Sequence, residues 1–234
     1  MSLVLLLGSP AQAQDTPTQK RQKTAWEKLK VEFSTLYGQR RYAEAERVAR
    51  NALSLAENTF GSNHPDVAAS LGNVALALEA QGEHAELEPL LKRALAVNEK
   101  ALGPTHPEVA KALTNLAGLY SFREEYAKAE PLYRRALEIR EASLEPDDIQ
   151  IASSLYDLAS LSRSQGKPAE AAPLLKRAVA VWEAARKADD PLMLFILDAY
   201  ADVLKELGDT RKAAAIDAQA DRIRQKRDRD LNTR

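Results

Sequence analysis

ARNALSL (49–55), LKRALAV (91–97), YRRALEI (133–139) and LKRAVAV (175–181) each begin 42 residues after the one before. The columns hold beyond these segments. Ala52, Ala94, Ala136, Ala178 and Ala220 share one column; Ala75, Ala117, Ala159 and Ala201 share a second. A third holds Ala45, Leu87, Ala129, Ala171 and Ala213. Self-similarity at a fixed period of a few tens of residues marks a repeat array, in which each unit hides its apolar face against the next.

Within a unit the apolar spacing is helical. Leu113, Leu116, Ala117 and Tyr120 fall at i, i+3, i+4 and i+7, one stripe along a helix. The same columns hold Leu71, Val74, Ala75 and Leu78; Leu155, Leu158, Ala159 and Ser162; and Leu197, Tyr200, Ala201 and Leu204. A second helix carries Ala129, Leu132, Tyr133, Ala136 and Leu137. No stretch alternates with the period of two that a strand needs. Small residues at fixed points let paired helices approach closely, and the large ones fill the space between units.

The breaks fit the same plan. Gly82, Gly166 and Gly208 share a column between the two helices. Glu124 stands there in the third unit, so that turn is expected not to need a positive φ. Pro89, Pro131 and Pro173 are expected in the first turn of the second helix, where N–H groups lack intrahelical partners. GSNHP (61–65), GPTHP (103–107), EPDDI (145–149) and KADDP (187–191) separate the units. Proline after a capping residue is a helix start. Gly61 and Gly103 suit the left-handed residue that follows a helix.

NLAGLY (115–120), YAKAEPLYRRALEI (126–139) and, upstream, LGPTHP (102–107) resemble the tetratricopeptide repeat family, in its 42-residue branch typified by kinesin light chain. The resemblance implies an all-α fold, a right-handed α-solenoid of about five helix-turn-helix units over residues 24–228. Residues 14–23 read as a polar linker and 229–234 as a polar tail. Asp217 and Asp221 occupy columns that are apolar elsewhere, as a capping unit with a polar outer face requires.

The resemblance also implies an adaptor that takes a protein or peptide partner in a concave groove lined by first helices. Helical geometry places that face opposite the packing stripe. It carries Gly72, Leu76 and Glu79; Lys111, Thr114, Gly118 and Ser121; Ser153, Tyr156, Ser160 and Arg163; and Phe195, Asp198, Asp202 and Lys205. Asn73, Asn115 and Asp157 share the column beside it. In the family, asparagines there bond an extended peptide backbone; tying adjacent helices together is the other use of such amides. Tyr156, Arg163 and Phe195 are residue types that anchor interfaces. The alternative function is structural or assembly work through the convex face or the array ends, with the groove idle.

Chemistry is sparse. With 33 basic and 34 acidic residues the chain lacks the excess positive charge of a nucleic-acid binder. Without cysteine there are no disulfides, thiolate metal sites or cysteine nucleophiles. His64 and His106 share a column with Asp148 and Asp190, which makes them helix starters rather than metal ligands. His84, in a turn, is expected to face solvent. No phosphate-cradling or nucleophile motif occurs, so neither catalysis nor a cofactor is expected. Asp198 and Asp202, one turn apart, are the acidic pair that a basic ligand group would fit. Residues 1–13, MSLVLLLGSPAQA, combine a short apolar run with a small-residue cleavage motif, Ala11-Gln12-Ala13. No Lys or Arg precedes the run, so this reads as an incomplete, truncated signal peptide. It implies a periplasmic or secreted protein, a cytoplasmic one otherwise, and it is too short to span a bilayer.

Overall fold

The computed structural model describes residues 16–185 and 191–232; the expected signal segment 1–13 and the loop position Asp190 lie outside them. Among the described residues ten helices follow one another: α1 Pro17–Gly38, α2 Tyr42–Phe60, α3 Pro65–Gln81, α4 Leu87–Leu102, α5 Pro107–Phe122, α6 Tyr126–Ser143, α7 Ile149–Ser164, α8 Pro168–Ala184, α9 Pro191–Glu206 and α10 Thr210–Asn232. Each packs on the next, and α7 also meets α9, so contacts are local along an α-solenoid of paired helices. Among the described residues no helix is long and apolar enough to cross a membrane.

The three repeat columns form the core. Every alanine in them is buried, and Leu87 with them. Alanine at these points permits close helix approach, while Leu71, Leu113, Leu155 and Leu197, all fully buried, fill the intervening space. In α1, Phe33 and Leu36, about one turn apart, are buried. Trp26 is the larger anchor: it is 1% exposed, donates from Nε1 to Ser70 Oγ at 3.0 Å, and packs edge-on against Phe60. A buried indole needs such a partner for its N–H.

Several boundaries differ from expectation. Residues 17–23 are not linker but the first turns of α1, which a capping box starts: Thr16 Oγ1 accepts from the Gln19 N–H, and the Gln19 side chain accepts from the Thr16 N–H. At the other end, residues 229–232 continue α10. Pro131 and Pro173 sit inside α6 and α8 because these helices start earlier than α4, where Pro89 is third. Each interior proline forfeits one helical hydrogen bond.

The turn between paired helices requires a left-handed residue after all. Gly82, Gly166 and Gly208 have φ of 76°, 71° and 79°, and Glu124 adopts φ 59° in the same column, as does Arg40. The unit-to-unit turn uses a different conformation: Gly61 and Gly103 combine positive φ with ψ of 156° and 158°, a region that glycine alone occupies readily. His64, His106 and Asp148 cap the following helices. Their side chains accept from Asp66, Glu108 and Gln150 N–H at 3.2, 3.1 and 2.8 Å. One column thus serves with imidazole or carboxylate because either supplies an acceptor.

His84 does not point into solvent. It is partly buried, its ring lies 4.7 Å from that of Phe122, and its carbonyl accepts from Arg123. Arg123 also bonds Glu88, which accepts from Tyr120 as well, and Lys92 above all, then Tyr120 and Arg123, pull the Glu88 carboxyl down to about 2. Second helices are cross-linked at regular intervals: Glu57 to Arg93, Glu99 to Arg135 at 2.6 Å, Glu141 to Arg177 at 2.5 Å, and Glu183 to Gln219 at 2.7 Å. Each rung joins consecutive units and so fixes their register.

Candidate functional site

The groove begins where two helix walls are kept low. Gly72 and Gly118 lie inside α3 and α5, where glycine costs roughly 1 kcal/mol relative to alanine. Packing does not demand them. A Cβ at Gly72 would meet nothing within 4 Å, and one at Gly118 would meet only the Tyr133 hydroxyl at 3.7 Å. Their effect is to leave space open between the first helices.

That space is a cleft of about 410 Å³ between α3 and α5, floored by Leu91, Ala94 and Asn98 of α4. Asn73, Lys111 and Asn115 line it, with Leu76 40% exposed beside them. A second cleft of about 200 Å³ adjoins it, lined by Leu76, Thr114, Asn115, Gly118 and Tyr133. The structure therefore brings four of the expected residues together: Asn73, Lys111, Thr114 and Asn115. Thr114 Oγ1 is occupied by the Ala110 carbonyl at 3.0 Å, and Lys111 lies 3.9 Å from Glu108.

The asparagines behave differently from the amide below them. Asn98 is buried and donates to the Glu108 carbonyl at 3.2 Å, which ties α4 to α5. Among the described residues, no protein group hydrogen-bonds the side chains of Asn73 and Asn115, which face the cleft. Their two donors and one acceptor each are available to a ligand.

The remaining candidates lie further along and are mostly engaged. Tyr156 and Arg163 line a separate cleft of about 200 Å³ with Ser160 and Ala199. Arg163 bonds Glu206 at 2.9 Å and Asp202 at 3.4 Å, so its fork braces α7 against α9. Both carboxylate oxygens of Asp198 accept from Arg224 Nη2, at 2.6 and 2.7 Å, and Lys205 pairs with Asp217 at 3.0 Å. The basic groups facing Asp198 and Asp202 are thus the chain's own. Phe195 is 60% exposed. Asp157 is partly buried, and burial raises its carboxyl to about 6 against the attraction of Arg140.

Sequence reading missed the floor. Asn98 and Tyr133 belong to second helices, and their columns hold Ala56 and Arg140, and Leu91 and Leu175, in other units. A polar group at a position that faces the packing of its helix was the available signal. Among the described residues no group of three or more metal-ligating side chains occurs.

The tetratricopeptide repeat profile matches residues 34–86, 66–142 and 144–226, well over half of the sequence. The chain belongs to the tetratricopeptide repeat family. Repeats of this family generally mediate protein–protein interaction and are typically non-catalytic scaffolds. No curated protein matches the chain at a significant level. Among solved structures, a Podospora anserina putative kinesin light chain with nearly identical repeats is 23% identical, with TM-score 0.70 over 90% of this chain and 98% of that one. BtubC, a protein of P. vanneervenii also called BKLC, is 22% identical, with TM-score 0.79 over 89% of this chain and 83% of that one. A Rap protein complexed with competence and sporulation factor is 17% identical, with TM-score 0.67 over 82% of this chain and 52% of that one. At these identities the likeness is one of fold.

Proposed function

We propose that this tetratricopeptide repeat array is a non-catalytic interaction module that binds an extended segment of a partner protein in the groove between α3 and α5. The observation that carries this reading is the pair Asn73 and Asn115. They stand one repeat apart on adjacent first helices, line one cleft, and leave their amides unused by the protein. An extended backbone presents N–H and C=O groups that such amides match. Leu76 supplies apolar contact and Lys111 a charge at the rim, while Gly72 and Gly118 leave room for the chain. The Rap neighbour, complexed with competence and sporulation factor, shows that a related fold takes up a partner.

A photo-crosslinking residue at Leu76 in the native host, against the same residue at exposed Lys176 of α8, tests this. A discrete adduct is expected from position 76, lost when Asn73 and Asn115 become alanine. Adducts from position 176 alone would assign binding to the other face. We further propose export, on the apolar run and the Ala11-Gln12-Ala13 motif. Amino-terminal sequencing of the protein from its host should then read Gln14 first, and an intact residue 1 on cytoplasmic protein would contradict it.

A further inference from the structure

The column that holds Asn73 and Asn115 continues with Asp157 on α7, at the equivalent helix position one repeat further along. Its surroundings are unlike those of a surface aspartate. It is partly buried, and no N–H or O–H of the described residues donates to its carboxylate. Below it, Arg140 of α6 is 7% exposed, gives Nη1 to Ser154 Oγ, and leaves Nε buried without a partner. Arg140 therefore attracts Asp157 without closing an ion pair with it. Tyr133, also of α6, faces it as well, and burial keeps that hydroxyl neutral. On the other helices packed on α7, Arg177 of α8 pairs with Glu141 and Glu170 with Lys167 at the helix start, Lys176 is exposed, and Asp198 and Asp202 of α9 pair with Arg224 and Arg163.

A neutral Asp carboxyl has the same shape as an Asn side chain and, like it, offers both an acceptor and a donor; an ionised carboxylate offers acceptors only. From this placement we propose that Asp157, in its protonated form, is the third member of the Asn73–Asn115 series, so that a bound segment spans three units and its capture takes up a proton. The inference rests on the groove reading given above. Burial favours the form required, since it raises this carboxyl to about 6. The groove is thereby graded, with two constant rungs and one that acidity turns on.

The probe is a set of fluorescently labelled 12-residue peptides, selected from a displayed library on the wild-type protein at pH 5 and retained if they fail to bind the Asn73→Ala/Asn115→Ala variant. Wild-type affinity should weaken by roughly tenfold or more between pH 5 and pH 8, because ionisation removes the donor. Asp157→Asn should bind as tightly as wild type at pH 5 and lose the pH dependence. Asp157→Ala should bind weakly at every pH. If Asp157→Asn keeps the wild-type pH profile, or Asp157→Ala binds like wild type at pH 5, the third rung is not used and this inference alone fails. If no library peptide depends on Asn73 and Asn115, the groove reading fails and takes this inference with it.

Discussion

Glu124 carries a backbone conformation that its neighbours in the column assign to glycine. A left-handed φ costs a residue with a Cβ on the order of 1 kcal/mol, and glycine adopts it freely. Glu124→Gly should therefore raise stability by about 0.5–1 kcal/mol in urea unfolding, and a loss of stability would mean the side chain matters more than the backbone. The column was legible in sequence, but two charged members among the glycines, Arg40 and Glu124, concealed the rule. What forces the conformation is the reversal between paired helices, which is the same whatever residue occupies it. Asp157 shows the reverse case. Its carboxyl titrates near 6 in the folded chain and in the ordinary range, about 3.9, when unfolded. The folded state thus holds its proton more tightly, so the charge opposes folding above pH 6, and that opposition fades as pH falls through 6 toward 4. Asp157→Asn should stabilise the protein by on the order of 2 kcal/mol at pH 7.5 and by little at pH 4. Melting curves of both proteins at the two pH values check this; an equal difference at both would exclude ionisation as its cause.

At the scale of the element, helix starts depend on an acceptor more than on a residue name. His106 and Asp148 each receive the N–H two residues on. His106→Asp should leave stability within about 1 kcal/mol of wild type, whereas His106→Ala should lose on the order of 1 kcal/mol. Thermal melting distinguishes the two, and equal losses would assign the imidazole a packing role. Helix existence and pairing were readable because the 42-residue period superposes several noisy copies of one pattern. Helix ends were less so. Thr16-Pro17-Thr18-Gln19 is a complete capping signal, but it precedes any apolar periodicity and so read as linker. The prolines at 131 and 173 read as helix starts because a period fixes columns, not the residue at which each helix begins. The Glu57–Arg93 type of rung was also present in the sequence, 36 residues apart, but its partners meet only when consecutive second helices lie side by side.

For the whole molecule, nearest-neighbour packing makes stability a sum of similar interfaces, while the groove is a property of several units at once. That division explains what the sequence disclosed about the site. The wall residues Asn73, Lys111, Thr114 and Asn115 followed from helical geometry and came together as expected. The far end did not follow, since Arg163, Asp198 and Lys205 are bound to acids and bases of other helices that only the fold brings near. The proposed groove reading accordingly centres ligand contact on units two and three, where polar side chains are unspent, rather than at Tyr156 and Arg163. The two wall glycines test this most directly, because they open the groove without serving the core. Gly72→Leu and Gly118→Leu each replace a poor helix residue by a good one, so melting temperature should hold or rise. Each should at the same time fill the cleft and weaken binding of the crosslinked partner by roughly tenfold or more, measured by titration beside thermal melting. Wild-type affinity in both variants, with the fold intact, would contradict the account.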